Sequence, residues 1–127
     1  MSFTKGGKGK GVLMHEMALV DGIMKIAIEQ LEKNNLKRLT KIKLFVGEYS
    51  GAVPDALKFA FMATVAGSIH ENAVMEIDEI SGQAQCRFCG AEFSYEAGMA
   101  CPECEGIAPK ITKGDELLID YLEAEEE

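Results

Sequence analysis

All four cysteines of the 127-residue chain fall in one short stretch, Cys86-Arg87-Phe88-Cys89 and Cys101-Pro102-Glu103-Cys104. Two CxxC pairs with a short spacer match the pattern of a structural zinc site, in which two tight turns each present two thiolates and together form a tetrahedron of soft ligands. Eleven residues separate Cys89 from Cys101, enough for a hairpin. A stretch of this size cannot bury a core of its own, so the metal would supply its folding energy. Four matched thiolates leave no open coordination position, which argues against zinc catalysis. A redox dithiol needs only one CxxC at a helix start. An iron–sulfur cluster also accepts four cysteines but is the lesser reading.

The spacer carries two acids and no base, and Arg87 is the only basic residue from Cys86 to Cys104. This is the wrong electrostatics for gripping DNA or RNA. The whole chain agrees. Its net charge is −8, and because Lys5, Lys8 and Lys10 fall in the first thirteen residues with no acid, the remainder carries −11. Such a surface repels a phosphate backbone and suits cations or basic proteins. With 47% hydrophobic residues the chain can build a real core. It shows neither a membrane-length apolar run nor the apolar centre of a signal peptide. Thiolate zinc sites favour a reducing compartment, so the cytoplasm is expected.

Around the cysteines the periodicity predicts a small domain. Glu16 to Lys33 places Met17, Val20, Met24, Ala27 and Leu31 at helical spacing, and Asn34-Asn35 closes the run. Thr40 to Val46 alternates Ile42, Leu44 and Val46 against Lys41, Lys43 and Phe45, which is a strand pattern. Pro54 and Asp55 open a second helix, to about Ala66, that buries Leu57, Phe61 and Val65. A strand follows over Ala73 to Ile80, with Glu76 and Asp78 on one face and Met75 and Ile77 on the other, and another over Glu116 to Leu122 before an acidic tail. The expected fold class is α+β: two helices on a three-stranded mixed sheet, with a four-cysteine zinc ribbon inserted between two strands. The expected division is 1–13 as a disordered extension, 14–84 plus 107–127 as the α/β domain, and 85–106 as the ribbon. His70 reads as a solvated loop histidine.

The Gly- and Lys-rich segment Met1 to Leu13 has two readings that stay open. It is a natural disordered arm, or its Lys/Gly run is a translated purine-rich ribosome-binding site ahead of a start at Met14. The choice bears on the motif that follows.

Met14-His15-Glu16-Met17-Ala18-Leu19 at the head of a helix resembles the opening of the HypA/HybF family of nickel chaperones for hydrogenase maturation. Val46-Gly47-Glu48-Tyr49-Ser50, Pro54-Asp55-Ala56-Leu57-Lys58-Phe59-Ala60-Phe61, the two cysteine pairs, and Gly114-Asp115-Glu116-Leu117 extend the likeness over Met14 to Glu123. The resemblance implies two metals. Zinc would be structural, held by Cys86, Cys89, Cys101 and Cys104. Nickel(II) would be cargo, held near the amino terminus by His15 with Met14 and Glu16. A terminal amine on Met14, the His15 backbone nitrogen and its imidazole would close adjacent chelate rings, and the Glu16 backbone nitrogen or carboxylate would complete the set. Here Leu13 precedes Met14 and takes up that amine, which leaves the chelate incomplete in the chain as written. The resemblance further implies a carrier rather than an enzyme. Its partners would be a nickel-handling GTPase and the large subunit of a nickel–iron hydrogenase, with urease maturation factors as lesser clients. Monomer and homodimer are both compatible with this reading, and neither nucleic acid nor membrane is an expected partner. The alternative is a zinc-ribbon interaction or nucleic-acid-binding module with no nickel role.

Overall fold

The structure is a computed structural model that describes residues 8–94 and 100–126, with side chains from His15 onward. Helix α1 spans Lys8–Lys33, and its stripe of Val20, Ile23, Met24, Ala27 and Leu31 is buried. It ends where Asn35 turns into the left-handed region, at φ 60°, and the Leu36 N–H reaches back to the Leu31 carbonyl at 2.8 Å. This is a Schellman-type stop that asparagine tolerates. The expected helix start at Glu16 and the expected disordered arm are corrected over Lys8–Leu13, which lie in α1. Once a helix is nucleated on a packed face, each added residue gains one hydrogen bond without a new nucleus. Met1–Gly7 lie outside the described residues.

Strand β1, Arg38–Gly47, is the centre of a three-stranded sheet in the order β2-β1-β6. It runs parallel to β2, Val74–Ile80, and antiparallel to β6, Leu117–Glu125. A register shift between Leu39 and Lys41 puts Leu39 on the buried side with Ile42, Leu44 and Val46. These side chains pack against α1 and against Leu57, Ala60, Phe61 and Val65 of α2, Pro54–Val65. The opposite face is polar. Lys41 pairs with Glu76 and Lys43 with Asp78, each at 3.2 Å, and both lysines lie beside the Tyr121 ring. The two-helix, mixed-sheet architecture is therefore the one the periodicity predicts. The third strand is longer than expected, with Glu123 and Glu125 in β6 and Arg38 meeting Glu125 across the pair.

His70 corrects the expectation of a solvated loop histidine. It is half-buried, and its Nδ1 accepts the Leu39 N–H at 3.0 Å, where β2 has not yet begun to pair with β1. Burial holds its pKa below the usual imidazole value.

The ribbon has its own three-stranded sheet, made of β3 (Gln83–Gln85), β4 (Glu92–Phe93) and β5 (Lys110–Lys113) in the order β4-β3-β5. Its boundaries are thus wider than the expected 85–106. Lys110–Lys113 pairs with β3 and belongs to the ribbon sheet, because the returning chain continues the hairpin ladder before it re-enters the α/β layer.

Candidate metal centres

Each cysteine pair builds the same turn. The Cys86 N–H donates to the Ala91 carbonyl at 2.9 Å, and the Cys101 N–H to the Gly106 carbonyl at 2.8 Å. Within each turn the Cys86 and Cys101 carbonyls accept the N–H groups of Gly90 and Glu105, four residues on. Backbone amides then converge on sulfur. Phe88 and Cys89 donate to Cys86 Sγ at 3.3 and 3.4 Å, and Glu103 donates to Cys101 Sγ at 3.3 Å. The first cysteine of each pair is buried and the second exposed.

The two turns face each other. Cys86 Sγ lies 3.4 Å from Cys104 Sγ, Cys89 Sγ lies 3.7 Å from Cys101 Sγ, and all four ligand atoms fall within 4.8 Å of one another. A tetrahedron with zinc–sulfur bonds of about 2.3 Å has edges of about 3.8 Å, so the cluster matches that geometry. The amides of Cys89 and then Phe88 pull the Cys86 thiol down to about 6. The Gly106 amide also draws Cys104 down, but the thiols of Cys86 and Cys89 outweigh it and push Cys104 up to about 12. Cys89 is raised as well: burial and the neighbouring thiols of Cys101 and Cys86 outweigh the Ala91 amide. Crowded thiols of this kind resist ionising together until a cation offsets their charge.

The glycines of the two turns do different jobs. Gly90 takes a positive φ of 81°, but at the equivalent place in the second turn the residue is Glu105, at φ 67°. Gly106 is needed for space, since a Cβ there would approach Phe88 Cδ2 to 2.5 Å and Cys86 Sγ to 3.3 Å.

His15 sits inside α1 rather than ahead of it. Its side chain is half-buried, and its Nδ1 lies 3.8 Å from Glu16 Oε1. Glu16 is fully buried. Its Oε2 accepts the N–H of Val53, the N-cap residue of α2, at 2.7 Å. A capping box would place an acid at the third helical position for this purpose. Ala56 stands there in α2, and the carboxylate arrives from α1 instead. The positive end of the α2 dipole adds to the attraction. Glu16 Oε1 is buried with no hydrogen-bond partner among the described residues.

A buried, half-satisfied carboxylate facing an imidazole and a closed set of four thiolates make an unusual pair of features in so small a chain. A family model described as "Hydrogenase/urease nickel incorporation, metallochaperone, hypA" matches residues 14–124. The chain belongs to the HypA family. A hydrogenase maturation factor HypA of Desulfitobacterium hafniense is 37% identical over 114 residues, covering 89% of this chain and all of the relative. Another, of Dehalococcoides mccartyi, is 31% identical and covers 90% of this chain and 97% of its own length. The fold resembles the solution structure of the nickel metallochaperone HypA from Helicobacter pylori, with a TM-score of 0.63 at 23% identity, covering 88% and 98% of the two chains.

HypA-family membership makes nickel the cargo of this fold, and the four-cysteine cluster suits a structural zinc. Zinc bound by four thiolates supplies folding energy and leaves no position for substrate. Among the described residues no helix is long and apolar enough to cross a membrane. The sequence singles out the cysteines, His15 and Glu16 as candidates, but not the Val53 amide that fixes Glu16. The apolar start of α2, with Pro54 at its first position and no capping side chain at Val53, was the available signal that a cap must come from elsewhere.

Proposed function

We propose that this chain carries nickel(II) at His15, with Met14 and Glu16, for the maturation of nickel–iron hydrogenase, and holds structural zinc at Cys86, Cys89, Cys101 and Cys104. The single observation that carries the nickel assignment is the orphaned Glu16 Oε1 facing His15 Nδ1 at 3.8 Å. A buried carboxylate oxygen without a partner is costly, and a cation relieves it. Ligand bonds of about 2.0–2.1 Å on each side span that gap, so one first-row ion can touch both atoms.

The backbone contribution depends on the helix. In α1 the His15 and Glu16 amides lie well inside the helical run, where N–H groups bond to carbonyls four residues earlier. A metal that takes a deprotonated amide must break such a bond. In a chain that begins at Met14, the same amides fall among the first four of the helix, which have no intrahelical partner. The Met14 amine, the His15 nitrogen and the imidazole are then available together, beside an already positioned Glu16 carboxylate. Ligand exchange at such an exposed chain end suits direct transfer to a GTPase and onward to the hydrogenase large subunit, with urease maturation as the lesser route. Transfer needs no bond-making chemistry in the protein, so the chain acts as a carrier in the cytoplasm. The α/β domain holds the cargo and the ribbon forms a separate zinc unit.

The test is a nickel titration of two zinc-loaded proteins, one beginning at Met1 and one at Met14, each beside His15→Ala. Tight one-to-one binding from Met14 alone, abolished by His15→Ala, establishes the amine-assisted site. Equal, His15-dependent binding in both assigns the ion to side chains without the amine. Binding that survives His15→Ala in both proteins overturns the assignment.

A further inference from the structure

The ribbon leaves and rejoins the α/β layer through two short passages, Ser81–Gly82 outward and Gly114–Glu116 back. Each passage holds a glycine, and the two glycines touch. A Cβ on Gly114, whose φ is +100°, would lie 2.5 Å from Gly82 Cα. Two glycines side by side in the only two covalent links would make a free hinge.

The corner after β1 closes over that hinge. The Tyr49 ring lies against Gly82, where a Cβ would clash with the Cζ–Cε2 edge of the ring, and a Cβ on Gly114 would meet Tyr49 Cδ2 at 3.2 Å. Glu48 Oε1 accepts the Gly82 N–H at 2.7 Å. The Glu48 N–H donates to the Ile80 carbonyl at 2.8 Å, and the Tyr49 N–H donates to the Gly114 carbonyl at 2.5 Å. Both passages are therefore bonded to the same two consecutive residues.

We propose that Glu48 and Tyr49 are a bolt across a two-glycine hinge, and that they hold the zinc ribbon in one orientation against the α/β domain. The bolt is also connected to Glu16. The loop that begins at Glu48 ends at Val53, whose N–H rests on Glu16 Oε2. Within it the Ala52 N–H bonds to Ser50 Oγ at 3.2 Å, which keeps the loop short and stiff. A cation that fixes Glu16 through its other oxygen fixes one end of this loop and so tightens the bolt at the other. This second step rests on the nickel assignment above; the bolt itself does not.

The test is nitrogen-15 relaxation of the full, zinc-loaded chain, comparing amides of β3 and β5 with amides of β1, with zinc content measured in parallel. The wild type and Tyr49→Phe, which keeps the ring, are expected to show one common correlation time. Tyr49→Ala and Glu48→Ala, with one zinc retained, are expected to lose it, the ribbon amides tumbling faster than β1. Glu48→Ala removes only the acceptor of the Gly82 amide, so it answers even if Tyr49→Ala fails to hold zinc. A common correlation time in both alanine variants overturns the bolt. Nickel is then added to the chain beginning at Met14. Shifts at Gly82 and Gly114 in the wild type that vanish in Tyr49→Ala support the link to Glu16, and bound nickel without such shifts refutes it. Absence of nickel binding refutes the nickel assignment and leaves the relaxation result to decide the bolt alone.

Discussion

Replacing Glu16 separates its structural task from its metal task, because the structural one is measurable without nickel. In Glu16→Ala the Val53 N–H loses its acceptor at the buried start of α2. An unsatisfied buried amide costs about 1–3 kcal/mol. The lost attraction between carboxylate and helix terminus adds about 0.3–1 kcal/mol, and the cavity left by the side chain adds to that. Against this stands relief of the orphaned Oε1, whose desolvation is of the same order as the Val53 term. With those two terms offsetting each other, the helix-terminus attraction and a cavity term of about 1–1.5 kcal/mol leave an expected net loss of about 2 kcal/mol. Glu16→Gln keeps an acceptor oxygen of the same reach and removes the uncompensated charge, so it should stay within about 0.5–1 kcal/mol of wild type. The assay is urea unfolding of the zinc-loaded chain, followed by helical circular dichroism with zinc in fixed excess so that its linkage is constant. At an m-value of about 1.5 kcal/mol/M, the alanine variant should shift the midpoint down by about 1.3 M, and the glutamine variant by less than half of that. An alanine midpoint within about 0.3 M of wild type would refute the capping role. Equal damage by both variants would show that the charge, and not the acceptor, holds α2.

Three further outcomes follow from the described geometry. Glu105→Gly should stabilise the ribbon by about 0.5–1 kcal/mol, because a left-handed conformation costs a non-glycine residue about 1–2 kcal/mol and glycine returns part of that gain as unfolded-state entropy; slower zinc release to a chelator checks it. Zinc affinity should rise by at least about 100-fold per pH unit around neutrality, since Cys89 is raised and Cys104 is pushed up to about 12, so that at least two protons leave as the ion enters while Cys86, at about 6, is already ionised; chelator competition at two pH values reads the slope. For His70 the folded pKa is depressed, so its contribution is complete above the unfolded value of about 6.5 and is lost as pH falls through the folded value. Thermal midpoints should accordingly fall with acidification below about 6.5. His70→Ala should reduce that dependence and cost about 1 kcal/mol at neutral pH, because the Leu39 N–H loses its acceptor.

The parts of this molecule legible in the sequence are those set by local periodicity or by one residue type. Ile42, Leu44 and Val46 alternate because they line a half-buried strand, and Leu57, Phe61 and Val65 recur at helical spacing because they share one buried stripe. The four cysteines announce their site because no other residue type supplies that ligand set. What stayed hidden depends on contacts distant in sequence. Thr40 lies at a register shift that only the pairing with β6 reveals. His70 looks like a loop residue until Leu39, far earlier in the chain, is seen to need its nitrogen. Gly47, Gly82 and Gly114 read as ordinary turn residues, yet the latter two lie under the Tyr49 ring, and a Cβ on Gly47 would run into the Gly114 carbonyl.

The nickel site proposed at His15 and Glu16 would sit on a helix without giving up the helix. Glu16 is fixed by a tertiary bond to Val53, and α1 is fixed by its buried stripe from Val20 onward, so neither depends on hydrogen bonds made by residues before Met14. The first turn of a helix beginning there has amides with no structural task, and these are the nitrogens a chelate requires. Extending the helix toward Lys8 commits the same amides to the helical ladder. Each amide the ion takes then costs a hydrogen bond as well as a proton, a net penalty of about 0.5–1.5 kcal/mol apiece on top of the lost amine. The two lengths of chain should therefore differ in nickel affinity while sharing one stability, and a difference in urea midpoint between them would contradict this separation of tasks.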